Sequence, residues 1–458
     1  MNRDEATQKV MQMAGISKEE MHTVCERIVL MSKFSPVPYA ERIMAEDKYF
    51  YDNYKRLWRY NRQEGIWVDD AELYIKSKLR KQLLGEEQQK KQYVDEIIEY
   101  IKGICWNSCK ILDPPKTLIP FQNVIYDLEK EDFMEFTDEY FITSKIPIEI
   151  DPRFADCEII DIFLEEIVGK DKKVILYELM AYCLYKSYPY QKFFILYGDG
   201  SNGKSAFLKL LIKFLGVSNI SSEKPQSLIN DRFSAANLYE KLANISPDIP
   251  YTELTDSSLI RELTGEDSLT CQKKFKDSFK FFNYAKIIFS ANELPQVKDK
   301  NYAFNRRIYI ILFDKKITNP DPEIIEKIAT KSQLSGLAWQ LIKILKEMKT
   351  RGYKFSLDPD VDEMSKLYEE LSSSLVKFLK EHTVKDTTAR LIDWEFKQKF
   401  EDWCTKKGIR VWRVGEINDF MRNRYRDTRV NQDFYDKEQG KFTPRCVHAW
   451  EGLKWKDN

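Results

Sequence analysis

The spacing of apolar and polar residues changes several times along this chain. In VDEIIEYIKGI the residues Val94, Ile97, Ile98, Ile101 and Ile104 recur at intervals of three and four, the spacing of one helix face. Residues 1–110 read as mostly helical, interrupted by LWRYNRQEGIWV. There two short aromatic runs flank a polar turn with a glycine, which predicts a β-hairpin. Residues 111–152 are rich in proline and aromatics and read as short strands and turns, and 155–186 return to helical spacing. From Phe193 to Phe313 the apolar runs FFILY, LANI, KIIFS and IYIILF alternate with helical segments. That alternation predicts an α/β domain around a largely parallel sheet. A helical segment follows from about Ile325 to Thr350. Beyond about Leu371, two helical runs (LVKFLKEH and EFKQKFEDWCTKKG) precede short terminal strands in FTPRCVHAWEGLKW. The expected division is 1–110, 111–186, 187–350 and 365–458.

Composition narrows this picture. With 458 residues and 43% hydrophobic content, the chain has material for more than one core. Lys+Arg and Asp+Glu both number 73, which excludes a wholly basic nucleic-acid binder but leaves room for local patches. The eight cysteines are scattered; only Cys105 and Cys109 are close, and with three histidines no second pair completes a zinc site. No run approaches the roughly 18 apolar residues of a membrane span, and the polar stretch Asn2–Gln8 is unlike a signal peptide. The expectation is a soluble, reduced chain in the cytoplasm, with no membrane partner. GEEQQKKQ, from Gly85 to Gln92, reads as a solvated helix face or loop, and no internal repeat is visible.

The chemistry concentrates in FFILYGDGSNGKSAFLKLL. Gly198, Asp199, Gly200, Ser201, Asn202, Gly203, Lys204 and Ser205 spell the phosphate-loop pattern, between a predicted strand and a predicted helix. Gly198, Gly200 and Gly203 let backbone N–H groups converge on phosphate oxygens, and the helix that follows adds its positive end. Lys204 supplies a cation for the β- and γ-phosphates, and the Ser205 hydroxyl is suited to Mg²⁺. Leu208, Leu211, Ile212 and Leu215 form the apolar face of that helix, and Gly216 suits its end. The ligand expected is ATP with Mg²⁺.

Such a loop needs a carboxylate at the end of a neighbouring strand. In LANISPDIP the candidate is Asp248, with Glu253 next; the plainer reading makes Asp248 a turn residue before Pro250. KIIFSANELP ends in Asn292, an amide placed to orient water or sense a γ-phosphate, or simply a turn residue before Pro295. Arg306 and Arg307 then stand directly before IYIILF, where one of them could reach a neighbouring subunit's γ-phosphate. In CQKKFKDSFKFF, lysines 273, 274, 276 and 280 surround Phe275, which suits a single-stranded backbone and a stacked base. A charged hairpin on a solvated face has the same composition.

Taken in order, GDGSNGKS, LANISPDIP, IRELTGEDSLTCQKKFK and KIIFSANELPQVKDKNYAFNRRI resemble the superfamily 3 helicases of viruses, phages and plasmids. The nearest likeness is to the poxvirus-type and phage/plasmid helicase–primase ATPases. YFYDNYKRLWRYNRQEGIW and LIPFQNVIYDLE also look like the segment preceding the ATPase in that family. The resemblance implies an α/β, AAA+-like P-loop ATPase core after a mostly helical N-terminal region. It implies Lys204 and Ser205 as the Walker A pair, Asp248 as the Walker B acid, Asn292 as sensor 1 and Arg307, rather than Arg306, as a finger offered to the adjacent subunit. Lys274, Phe275 and Lys276, with Lys273 beside them as a further DNA contact, would cap a hairpin in the channel of a hexameric ring around one DNA strand. The family often has two acids in succession where this chain has Ser246-Pro247 before Asp248. No acidic-triad primase signature stands in residues 1–190, so a primase is expected as a separate partner.

RVWRVGEINDFMRNRYRDTRV gathers Arg410, Arg413, Arg422, Arg424, Arg426 and Arg429 with Trp412 and Tyr425. Helices followed by terminal strands fit a winged-helix-like domain, and arginines at helical spacing suit duplex or origin DNA. A solvated basic face or a subunit contact would look alike. The reading as a whole is an ATP-driven replicative DNA helicase of a mobile element, acting on single-stranded and forked DNA. An initiator that uses ATP only to assemble, or another P-loop motor such as a packaging ATPase, are the other readings.

Overall fold

The computed structural model describes residues 34–83, 91–106, 115–198, 200–231, 233–247, 258–272, 278–294, 302–436 and 441–456. The chain divides into two compact units, Met1–Ile150 and Asp151–Asn458, with the boundary inside the segment 111–186.

In the first unit, helices α1 (Val37–Glu46), α2 (Ala71–Lys78) and α3 (Lys91–Cys105) share a core that includes Ala40, Ile43, Ile75, Val94, Ile97 and Ile101. The periodic face of α3 ends on buried Cys105 while Ile104 stays 40% exposed, because Ile104 falls about 80° off the face centred on Val94. The expected hairpin forms from β2 (Leu57–Asn61) and β3 (Ile66–Val68), and β1 (Tyr49–Tyr51) adds a third antiparallel strand. The Asp52 carboxylate closes the β1–β2 turn, accepting from the backbone N–H groups of Tyr54 and Arg56 and from the indole of Trp58 at 2.9 Å. A second antiparallel sheet, β4 (Leu118–Pro120), β5 (Ile125–Asp127) and β6 (Asp132–Met134), supplies the short strands read between 111 and 152.

The second unit begins with α4 (Glu158–Val168) and α5 (Lys173–Leu184). It is built on a five-stranded sheet of β7 (Phe193–Tyr197), β8 (Ile220–Ser221), β9 (Ala243–Ser246), β12 (Lys286–Ala291) and β13 (Ile308–Leu312). The order is β13-β7-β12-β9-β8, and every pairing is parallel. Every residue of β12 is buried, the pattern of a strand covered on both faces. Between β7 and β8 runs α6 (Lys204–Leu215), with Phe207, Leu208, Leu210, Leu211, Phe214 and Leu215 buried, so more of its circumference is covered than one apolar stripe. Helix α7 (Ser258–Thr264) leads to the antiparallel pair β10 (Ser268–Gln272) and β11 (Ser278–Phe282).

The helical segment expected from Ile325 to Thr350 forms as two helices, Ile324–Ile328 and α8 (Lys331–Thr350). The break lies at Thr330, whose hydroxyl accepts from the N–H of Gln333 and caps α8. Helix α9 (Val361–Ser372) returns Met364 and Tyr368 to the core beside β13.

The last elements are α10 (Ser374–His382), β14 (Thr383–Ile392), α11 (Asp393–Lys407), α12 (Val414–Arg422), β15 (Arg426–Asp436) and β16 (Lys441–Trp455). They enclose their own core, including Leu375, Phe378, Phe396, Phe400 and Trp450, against an antiparallel sheet of order β14-β16-β15. Two expectations need correction. The terminal short strands are one strand of 15 residues. The arginines do not share a helix: α12 stops at Arg422, and Arg426 and Arg429 lie on β15. Thr428, Val430 and Phe434 favour extended backbone, and pairing with β16 overrides the helical spacing of the charges. Among the described residues, no helix is long and apolar enough to cross a membrane.

Candidate active site

The loop from Gly198 to Ser205 leaves the C-terminal end of β7 and enters α6. Its first N–H, on Gly198, donates to the carbonyl of Ala291 at the end of β12 (3.2 Å). The loop then folds back tightly. A Cβ on Gly198 would overlap the side-chain amide of Asn202 and lie 2.5 Å from the carbonyl of Phe313. Gly203 has φ +84°, and a Cβ there would lie 2.5 Å from Ile167. Both positions therefore demand glycine.

Lys204 is the first residue of α6 and is 4% exposed. Its Nζ donates to the carbonyl of Gly198 (2.6 Å), to Asn202 Oδ1 (3.0 Å) and to Asn292 Oδ1 (2.9 Å). These three acceptors are neutral and orient the ammonium through its N–H donors. Asn202, also 4% exposed, donates its Nδ2 to the carbonyl of Phe313, one residue beyond β13 (2.9 Å). Asn202 thus ties the loop to a second strand, a positioning role that its place in the motif did not reveal. Asn292 stands one residue beyond β12, the strand held between β7 and β9. The chain leaving β9 at Ser246 does so at this same edge, since Ser246 pairs with Phe289. Asp248, two residues further on, and Asp199 lie outside the described residues.

A cleft of about 380 Å³ opens over the loop. Ser205, exposed in the first turn of α6, lines it with Gly200, Ser201, Gly203 and Lys209. The walls include Phe163 and Ile167 of α4 and Ile317, whose N–H donates to the carbonyl of Ser201 (2.9 Å). These walls are invisible to local reading. The α4 residues read as an ordinary core face, and Ile317 sits in a polar, proline-rich stretch.

The other candidates lie elsewhere. Arg306 and Arg307 precede β13, and Ile308 pairs with Phe193 while Leu312 pairs with Tyr197. The arginines therefore stand at the opposite sheet edge from the loop, about 16 Å away at roughly 3.3 Å per residue. Arg307 is 8% exposed and donates Nη1 to the carbonyl of Ala303 (2.7 Å), and its Nε has no partner among the described residues. Burial, then the guanidinium groups of Arg306 and Arg261, push its pKa down. Arg306 donates Nη1 to Gln191 Oε1 (3.0 Å). Lys273, Lys274, Phe275 and Lys276 lie outside the described residues, between paired Gln272 and Ser278. In the C-terminal elements, Arg422 lies 3.8 Å from Asp427, Arg424 sits 3.9 Å over the Phe420 ring, and Arg426 lies 3.8 Å from Glu451.

Residues 38–169 match the family described as "D5 N terminal like", and residues 196–307 match a family of unknown function designated DUF5906. The protein named "Putative helicase 121R" of Invertebrate iridescent virus 3 is 26% identical over 314 residues, covering 60% of this chain and 33% of that protein. A protein of Acanthamoeba polyphaga mimivirus with the same kind of helicase name is 29% identical over 224 residues, covering 46% of this chain and 23% of its own. The chain thus spans about a third or less of the length of these relatives. A solved structure, the apo form of the NrS-1 C-terminal region, aligns at a TM-score of 0.47 and 12% identity, over 92% of this chain and 100% of that one. By sequence, the chain carries a D5 N terminal like segment and is similar to viral proteins named putative helicases, in keeping with the superfamily 3 helicase–primase group that its series of motifs resembles.

Proposed function

We propose that the chain is an ATP-driven DNA helicase of a mobile element, built on an AAA+-like P-loop core and ending in a winged-helix-like domain that contacts duplex DNA. The observation that carries this reading is the placement of Lys204 between Asn202 and Asn292 at the edge of a parallel sheet. A cation, a tightly wound glycine loop and a helix N-terminus converge there, which is what a triphosphate requires. The cleft above the loop has the polar floor for phosphates and, in Phe163, Ile167 and Ile317, apolar walls for the rest of a nucleotide.

ATP would be held by the loop and Lys204, and Mg²⁺ by Ser205 with Asp248; the metal would neutralise charge on the β- and γ-phosphates. Lys204 holds its charge toward the cleft. Asn202 fixes the height of the loop against β13. Asn292 lies between the lysine and the chain leaving β9, where an attacking water would be oriented. Arg307, on the far edge, is suited to serve the site of an adjacent copy, which makes a closed ring, a hexamer in this family, the assembly expected. The lysines between β10 and β11 would then meet single-stranded or forked DNA, and origin duplex would fall to Arg422, Arg424 and Arg426. A separate primase and the host-cell cytoplasm complete the reading.

The test is ATP turnover with and without single-stranded DNA, followed by displacement of a strand from a fork. DNA-stimulated turnover and displacement, both abolished in Lys204→Ala, are expected. Turnover without displacement would favour another P-loop motor, and nucleotide binding without turnover would favour an initiator that assembles on ATP.

A further inference from the structure

At the end of β12 opposite Asn292 lies a lysine that the nucleotide site does not require. Lys286 is the first residue of β12 and is fully buried. Its Nζ donates to the carbonyl oxygens of Tyr185 (2.7 Å), Ser187 (2.8 Å) and Tyr284 (2.8 Å). The rings of Tyr182 and Tyr188 face it, with centroids at 4.4 and 5.1 Å. An ammonium has three N–H donors, and here each meets a carbonyl, the condition under which a buried charge is tolerated. The next residue joins the same knot, because the N–H of Ile287 donates to the Tyr188 hydroxyl (2.9 Å).

The three carbonyls come from two places. Tyr185 and Ser187 belong to the connection between α5 and β7, the strand that carries the phosphate loop. Tyr284 belongs to the link between β11 and β12. In that link Asn283 donates its Nδ2 to the carbonyls of Leu263 (2.8 Å) and Ala285 (3.2 Å). On the other side of the hairpin, Glu266 stands two residues before β10 and accepts from the N–H of Tyr188 (3.1 Å) and from the Ser187 hydroxyl. Both roots of the β10–β11 hairpin are therefore stapled to the connection that precedes β7. The six residues of β12 then run about 20 Å, at roughly 3.3 Å each, to Asn292. Strand β12 is paired on both sides and buried throughout, so its two ends move together.

We propose that Lys286 is a positioning residue that fixes the hairpin root to the strand carrying Asn292, so that nucleotide-driven shifts at Asn292 are delivered to the hairpin. The proposal rests on the helicase reading above. Without the ammonium, three carbonyls lose their shared donor, and the link 283–285 becomes a hinge about which the hairpin swings independently of the sheet.

The test compares the parent chain with Lys286→Met, which keeps the length and apolar stem, and with Glu266→Ala, which removes the second staple from an exposed position. Turnover without DNA stays near the parental rate in both variants. Stimulation by single-stranded DNA falls about tenfold in Lys286→Met, within the ordinary range of coupling between sites, and falls measurably in Glu266→Ala. Hydrogen exchange across 268–272 and 278–282 changes when the parent binds a non-hydrolysable ATP analogue, and this response is lost in Lys286→Met. A purely structural lysine would lower the unfolding midpoint and leave both the ratio of stimulated to basal turnover and the exchange response intact. That result in folded Lys286→Met overturns the proposal, as does an unchanged ratio or response in Glu266→Ala should the methionine variant not fold. If the parent itself shows no DNA-stimulated turnover, the helicase reading fails. The exchange response, which needs nucleotide alone, still decides the role of Lys286.

Discussion

The ammonium of Lys204 lies 2.9 Å from the side-chain oxygen of Asn292, although 88 positions separate the two residues. The contact exists because Tyr197 and Ala291 are in register on adjacent parallel strands, so the loop and Asn292 leave the sheet together. Asn292→Ala should therefore leave nucleotide affinity nearly unchanged and lower kcat about 100-fold, the usual cost of losing one preorganised polar group. Steady-state turnover alongside titration of a fluorescent ATP analogue checks this; a loss of affinity with kcat preserved would make Asn292 a binding group only.

Gly198 has no room for a side chain, because a Cβ would displace the amide of Asn202. Gly198→Ala must then break the bonds of Asn202 to Phe313 and Lys204. Overpacking of this kind costs about 1–3 kcal/mol, and the expected result is a loss of analogue binding of at least about tenfold. Asn202→Ala should reproduce the loss of binding with a smaller fall in thermal midpoint, since it removes the ties without adding bulk.

Arg307 stands too far from Lys204 to serve the same nucleotide. Arg307→Ala should keep nucleotide binding and lose turnover by about 10³-fold. Mixing it with Lys204→Ala chains should restore part of the turnover, because some interfaces then pair an intact lysine with an intact arginine. No restoration in mixed assemblies would confine the arginine to its own chain.

Burial pushes Lys286 from 10.5 down to about 7, opposed by the nearby Cys183 thiol and Glu266 carboxylate, with the Tyr182 and Tyr188 rings facing it. Between those two values the unfolded chain holds a proton that the folded chain lacks, so this group makes stability rise with pH across that window. Urea midpoints from pH 7 to about 9.5 should rise more steeply in the parent than in Lys286→Met. The three carbonyls are then all satisfied by an ammonium only toward pH 7 and below, and identical slopes would mean that they keep the lysine charged throughout.

Much of the second unit was legible because its signals are local. The glycines, Lys204 and Ser205 announce a phosphate loop within eight letters, and the runs that become β7, β12 and β13 are apolar enough to read as buried strands. Strand β8 has two residues and no pattern of its own; pairing with β9 creates it. The arginines after Asn423 were misread because charge spacing carries no information about where a helix ends. Asn202 against Phe313, Ile317 against Ser201 and the Tyr185 and Ser187 carbonyls around Lys286 are contacts between distant segments. No window along the chain contains both partners.

Strand β13 begins just after Arg307 and ends just before Phe313, whose carbonyl holds Asn202. One short rod thus bears at its start the group suited to a neighbour's nucleotide and at its finish the seat of the chain's own lysine. In a closed circle of copies, a tug on Arg307 would be felt six residues later in the geometry of the next pocket. The sites would fire in turn rather than at random, with the order of firing written into a single stiff strand.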